Sequence, residues 1–192
     1  MKIVILNGSP RSLGLISQIL KFMTEEAEAY GAEVEMVTIN RLLMRPCIGC
    51  MNCRSKHVCV LPQDDAHKTL QKIQEADAII VGTPCYWGNM NGYLKVLFDR
   101  IVYGLVREEE GMIPQPLQKG KKAIIVTTST TPWPWNIIFN QSNGAKKAVQ
   151  KILNWSGYQI VGSIQKGGTR KKPFWTEKER LKCRELVHRL LK

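Results

Sequence analysis

Four of the six cysteines fall within 13 residues, spaced Cys47-x2-Cys50-x2-Cys53-x5-Cys59. Thiolates are soft, strong ligands, and clustered cysteines in an intracellular chain read as metal or redox ligands before they read as disulfides. Three thiolates at successive two-residue intervals can wrap one side of an iron–sulfur cubane, and a fourth can close it. Four-thiolate zinc is the alternative, although it usually draws on two separated Cys-x2-Cys knuckles. Free thiols are the plainer reading of the same spacing. His57 lies inside this loop and reads as incidental, while Cys85 and Cys183 stand apart.

Three polar loops could also do chemistry, each following a short apolar run. Asn7-Gly8-Ser9-Pro10-Arg11-Ser12-Leu13-Gly14-Leu15-Ile16-Ser17 leads from such a run into a helical pattern. Unpaired N–H groups at a helix start favour an anion, and three serine hydroxyls and the Arg11 guanidinium would help cradle a terminal phosphate. The glycine spacing is neither that of a Walker A loop nor that of a dinucleotide fingerprint. A polar turn with a serine cap is the plain alternative. Thr83 to Gly92 carries Tyr86 and Trp87, and Thr127 to Asn136 carries a run of hydroxyls followed by Trp133 and Trp135. These two tryptophans would either wall a substrate slot or pack a dimer interface or the core. No nucleophile triad, paired carboxylates or zinc-hydrolase motif is present.

These loops need elements to position them. Strand-like runs cover Lys2–Leu6, Val34–Ile39, Ala78–Val81, Lys122–Thr127 and Tyr158–Ile164. Helical spacing covers about Ser17–Tyr30, Asp64 or Asp65 to Glu75, Asn91–Val102 and Asn143–Trp155, and a last helix is capped by Thr176. That last helix is expected to turn Leu181, Leu186, Val187, Leu190 and Leu191 inward. Five strands alternating with five helices predict a parallel sheet covered on both faces. In such sheets ligands lie beyond the carboxyl ends of the strands, where the three loops fall. Residues 105 to 119 read as a surface loop, and Gly167-Gly168-Thr169-Arg170 as a hinge.

The chain of 192 residues, with 44% hydrophobic and 23% charged residues, is expected to form a single α/β domain over 1–192. The cysteine-rich segment is an insertion at about 40–63, and a basic helix occupies about 176–192. No apolar run is long enough to span a bilayer, so the cytoplasm is the expected location and no membrane partner is expected. The net charge is +12. From Lys166 onward there are ten basic and three acidic residues, a net of +7. A solvated basic helix face accounts for this, and with no accompanying motif nucleic acid is not an expected partner.

A strand followed by Gly8-Ser9-Pro10-Arg11 and a hydroxyl opening the helix resembles the flavodoxin-like NAD(P)H-dependent FMN reductase family. Within it, the chain is most similar to the iron–sulfur flavoproteins. The longest match runs from Pro84 through Tyr86, Trp87, Gly88, Gly92, Leu94 and Lys95 to Asp99 and Arg100. One departure is Ile16, where the family usually has an asparagine ahead of the hydroxyl. The resemblance implies a flavodoxin-like sheet in the order 2-1-3-4-5. It also implies an FMN phosphate on Ser9, Arg11, Ser12 and Ser17. The flavin ring would meet Pro84, Cys85, Tyr86, Trp87, Gly88 and Asn89, with Thr128 and Ser129 at its polar edge. A [4Fe–4S] cluster on Cys47, Cys50, Cys53 and Cys59 would sit near the flavin at the same end of the sheet. NAD(P)H is the implied co-substrate. The implied acceptor is a flavin, a quinone, another small molecule or a ferredoxin-like protein. A homodimer or homotetramer is the implied assembly. Lys95, Asp99 and Arg100 are expected to be ion-pair or interface residues, with no catalytic part.

Overall fold

A computed structural model describes residues 1–108, 113–171 and 174–192. Five strands form the sheet: β1 Lys2–Asn7, β2 Glu33–Thr38, β3 Ala78–Pro84, β4 Lys122–Thr128 and β5 Gln159–Lys166. Five helices alternate with them: α1 Leu15–Ala29, α2 Asp65–Glu75, α3 Gly92–Arg100, α4 Ser142–Ser156 and α5 Glu177–Leu191. All pairings in this sheet are parallel, in the order β2-β1-β3-β4-β5. This is the expected flavodoxin-like topology.

The three central strands are buried on both faces, and their period of two divides the core. Ile3 and Ile5 of β1, Ile80 of β3 and Ile124 and Val126 of β4 pack under Ile19, Leu20 and Met23 of α1 and Leu186, Val187 and Leu190 of α5. Val4, Leu6, Ile79, Val81, Ala123 and Ile125 face the other way, against α2, α3 and α4 through Leu70, Ile73, Leu97, Phe98, Val149 and Leu153. Each fully buried Val, Leu, Ile, Phe or Met side chain among these contributes about 1.5–3 kcal/mol of burial free energy. On α5 the inward row is Cys183, Leu186, Val187 and Leu190, a regular i, i+3, i+4, i+7 stripe. Leu181, expected inward, is exposed, and the small Cys183 takes its place against the sheet. Burial pushes that thiol up to about 12.

The register sets the strand tips. Asn7 lies opposite Thr38 and Gly82, and Pro84 opposite Thr128. The loops after β1, β3 and β4 therefore leave one edge of the sheet. Three of the helices that follow are capped by side chains: α2 by Asp64, α3 by Asn91 and α5 by Thr176. The exception that matters for function is α1. Its N-cap is Gly14, no side chain caps it, and its first turn carries no acid.

Several short pieces were not expected. A two-residue antiparallel ladder pairs Val106–Arg107 with Gln115–Pro116, inside the segment read as a surface loop. Val106 and Gln118 there are buried, while residues 109–112 of that segment, and 172–173 of the basic tail, lie outside the described residues. Single-turn helices form at Asn52–Lys56, Val102–Leu105 and Trp135–Ile138. Part of the tail's positive charge is engaged within the fold. Lys166 pairs with Glu179 at 2.8 Å, Arg184 with Glu26 at 2.8 Å, and Arg180 stacks over Trp175 at 4.8 Å. Among the described residues, no helix is long and apolar enough to cross a membrane.

Candidate functional site

The loop after β1 is held open by its own buried polar groups. Asn7 Oδ1 accepts from the Ser9 N–H at 3.0 Å, and Asn7 Nδ2 donates to Ser17 Oγ at 3.1 Å. Ser17 Oγ donates to the Arg11 carbonyl at 2.8 Å, and Ser9 Oγ accepts from the Arg11 N–H at 3.2 Å. The first helical N–H of α1 with an acceptor inside the helix is that of Gln18, bonded to the Gly14 carbonyl at 3.0 Å. The N–H groups of Leu15, Ile16 and Ser17 come before it and have no intrahelical acceptor. An uncapped helix start, with hydroxyls and a guanidinium beside it, favours an anion by hydrogen bonding and by the helix dipole.

This loop floors a cleft of about 560 Å³. Ser9, Arg11 and Ser12 line it from the β1 side, Pro84, Cys85 and Tyr86 from the β3 side, and Thr128 and Ser129 from the β4 side. Eight of the twelve expected cofactor residues thus converge on one cavity. The other four lie elsewhere. Ser17 is turned inward, its hydroxyl bracing the loop from beneath. Trp87, Gly88 and Asn89 form the tip of a tight turn rather than the cleft wall.

In that turn Tyr86 and Asn89 exchange backbone hydrogen bonds of 3.0 and 2.9 Å. Trp87 and Gly88 take φ of +52° and +71°. Two central residues at positive φ define a type I′ turn, which favours Asn-Gly; a bulky residue at the first position is strained there. The indole consequently stands fully in solvent. The turn rests on the start of α4, where any Cβ at Gly144 would overlap the Gly88 carbonyl oxygen. Burial raises the Cys85 thiol above its ordinary range, in keeping with a packing role.

Sequence reasoning missed residues at both rims. Leu13, Gly14, Leu15, Ile16 and Gln18 line the cleft as the helix start itself, and Thr130 and Thr169 line the far side. Thr169 belongs to the segment read as a hinge. Instead, its N–H and Oγ1 both meet the Ser129 carbonyl at 3.1 Å, and Gly168 N–H meets the Thr131 carbonyl at 2.8 Å. The signal was available: β5 lies beside β4, so the loop leaving its tip must join the others.

The four clustered cysteines also converge. Cys47, Cys50, Cys53 and Cys59 line one pocket of about 240 Å³, closed by Asp99, Arg100, Val102 and Tyr103. All four are free thiols. Burial pushes Cys53 up, with the other three thiols adding to the effect, whereas hydrogen bonds from Asn52 draw the exposed Cys50 down. Among the described residues no three His, Cys, Asp or Glu side chains meet as a single-ion site. This pocket and the cleft share no lining residue. The cleft takes its β3-side wall from the loop ahead of α3, and the cysteine pocket takes its wall from the last turn of that helix and beyond. Seven helical residues, 92–98, lie between, about 10 Å of helix. The cysteine pocket is therefore walled by the end of α3 and the cleft by the loop ahead of it.

A buried ion pair anchors this loop. Arg100 is 2% exposed. Its Nη1 donates to Asp64 Oδ2 at 2.8 Å and to the Arg45 carbonyl at 2.6 Å, and its Nη2 donates to Asp64 Oδ1 at 3.3 Å. Burial opposes ionisation of Asp64, but the Arg45 N–H, Arg100 and His67 outweigh it and hold the carboxyl below its usual range. Lys95 and Asp99 pair along α3 as expected; Arg100 reaches across the fold instead.

An open parallel sheet with a phosphate-type cradle at its central strand tips defines a flavodoxin-like fold. The sequence pattern of the NADPH-dependent FMN reductase family matches residues 1–135, and the chain belongs to that family. It is 40% identical over 100 residues to an iron-sulfur flavoprotein of Archaeoglobus fulgidus, a match covering 52% of this chain and 48% of that protein. The chain thus spans about half the length of that relative. An iron-sulfur flavoprotein of Clostridioides difficile is 26% identical over 196 residues, covering 100% of this chain and 78% of that protein. Among solved structures, an FMN-dependent NADH-azoreductase of Bacillus anthracis in complex with FMN superposes with a TM-score of 0.76. It is 12% identical, and the superposition covers 100% of both chains.

Proposed function

We propose that the chain is an FMN-dependent oxidoreductase that takes hydride from NAD(P)H and passes the electrons to a small acceptor. The observation that carries this reading is the meeting of three separate loops, from β1, β3 and β4, around one cleft with an uncapped helix start at its floor. The residues present fit FMN. The N–H groups opening α1, with Ser9, Ser12 and Arg11, would hold the phosphate, and Pro84 to Tyr86 with Thr128 and Ser129 would bound the ring. FMN, when bound, supplies hydride acceptance and electron release. The protein's part is to bind, orient and shield, which agrees with a sequence lacking an acid–base pair.

The four cysteines are the proposed ligands of a [4Fe–4S] cluster, which supplies one-electron transfer. The single compact run Cys47-x2-Cys50-x2-Cys53, in place of two separated Cys-x2-Cys knuckles, favours the cluster over a lone zinc ion. The cysteine pocket also favours a second reading, one-electron exchange with a ferredoxin-like partner. A homodimer or homotetramer in the cytoplasm remains part of the proposal, and the exposed Trp133, Trp135 and Phe139 offer a face for it.

Anaerobic purification with FMN, iron and sulfide tests both cofactors in one absorbance spectrum. Flavin bands above a broad shoulder are the expected result; a colourless protein overturns the redox reading. Stopped-flow bleaching by NADH or NADPH, set against reduced ferredoxin, then separates the two electron donors.

A further inference from the structure

We propose that Arg100 is a direct hydrogen-bond donor to the sulfur-rich group held by Cys47, Cys50, Cys53 and Cys59, and that it raises that group's reduction potential. The proposal rests on the cluster reading above and adds a residue to it. Arg100 lines the cysteine pocket and is almost wholly buried. Both of its terminal nitrogens are bonded, to Asp64 and to the Arg45 carbonyl. Its Nε–H has no acceptor among the described residues.

A buried guanidinium donor left without a partner is uncommon in native folds and calls for an acceptor. The other charged residues of this pocket are committed elsewhere. Arg54 Nε pairs with Glu108 at 2.9 Å and Arg54 is half exposed, and Asp99 pairs with Lys95. Thiolate and sulfide sulfurs are acceptors only, so an N–H donor in their wall is complementary to them. Such a donor favours whichever state carries more negative charge on sulfur, which is the reduced one. Hydrogen bonds to sulfur and burial are among the levers that set iron–sulfur potentials. The Asp64 bonds hold the guanidinium plane still, so the Nε–H is preorganised for this.

The test uses the whole chain, reconstituted anaerobically with iron and sulfide. Arg100→Lys keeps a cation for Asp64 but loses Nε–H, and it is compared with wild type on the cluster-loaded fraction of each. Its equilibrium constant for one-electron reduction should fall about tenfold, or about 59 mV for a one-electron couple. Wild type labelled with Nε-15N arginine should show a 15N coupling to the reduced cluster in pulsed EPR. The coupling should persist in Arg54→Lys and vanish in Arg100→Lys. If Arg100→Lys does not fold, persistence of the coupling in Arg54→Lys still carries the proposal, and its loss there overturns it. A loaded wild type with no 15N coupling overturns the role of Arg100 while leaving the cluster in place. A wild type that takes up no iron overturns the cluster reading and this proposal together.

Discussion

Two strand-to-helix loops of this protein are built in opposite ways. The loop after β1 is ordered from within. Asn7, Ser9 and Ser17 are buried, and they bond to one another and to the Arg11 backbone. The loop after β2 is ordered at its base. Leu43 and Arg45 are gripped by Asp65 and Asp64, and Arg100 closes the grip. Inside, Cys47 and Cys50 are exposed, as are Ile48, Met51, Val58 and Val60. The non-glycine residues Met51 and His57 sit at φ of +59° and +52°. The first loop carries its geometry in its own hydrogen bonds; the second is tied at its base and leaves its four cysteines around one pocket without such bracing.

The sharpest way to break that contrast is to open the grip. Asp64→Ala leaves the Arg100 guanidinium buried without its carboxylate, a loss of about 3 kcal/mol by the usual cost of breaking a buried pair. Urea unfolding reads it. Trypsin should then cut at Arg54 or Lys56 before any other site, while FMN affinity of the surviving folded protein is retained. Equal loss of FMN binding would show that the two loops are not independent. The pH dependence follows in sign. Asp64 has a lowered pKa in the fold, so it contributes stability above its unfolded value near 3.9. That contribution is lost as pH falls through the folded value. Acid unfolding of wild type should be steeper below about pH 4 than that of the variant.

The next effect lies at the lip of the cleft. Gly144→Ala drives a methyl into the Gly88 carbonyl, which is backbone on both sides and has little room to yield. A loss of about 2 kcal/mol is expected from overpacking, with weaker FMN retention because the Tyr86–Asn89 turn must move. Unchanged stability would mean that this rim is softer than its hydrogen bonds imply.

Ser17→Ala is smaller and probes the ordered loop directly. It removes a donor to the Arg11 carbonyl and an acceptor for Asn7. About 1 kcal/mol is expected by denaturant unfolding, with FMN affinity falling several-fold although this hydroxyl does not face the cleft. Unchanged affinity would mean that the loop holds its shape without the brace.

How legible these regions were follows the range of the interactions that build them. Strands β1, β3 and β4 announce themselves as apolar runs, and burial on both faces with helices between them leaves a parallel sheet as the natural outcome. Ser9, Arg11 and Ser12 were readable because a helix start after a strand is a local signal. Thr169 was readable only through the expected strand order, which sets β5 beside β4; its glycine-rich surroundings read locally as a hinge. Arg100 was visible as a charge on α3, but its partner Asp64 is 36 residues away in sequence. No periodicity links them. The inward turn of Ser17 depends on Asn7, ten residues earlier, and a hydroxyl that braces a loop looks the same in sequence as one that faces a ligand.

The smallest effect tests whether the turn at the cleft's lip is strained for a purpose. Trp87 occupies a left-handed position that asparagine adopts more readily, and its indole gains nothing from burial. Trp87→Asn should therefore stabilise the fold, by about 0.5 kcal/mol in a thermal melt. If the ring serves the cleft as an aromatic flap over bound nicotinamide or acceptor, the same variant should show a higher KM for NAD(P)H or acceptor, with FMN content unchanged. More stability with unaltered kinetics would make the indole idle in turnover. A loss of stability would mean that the Trp87 side chain makes a contact that outweighs its backbone strain.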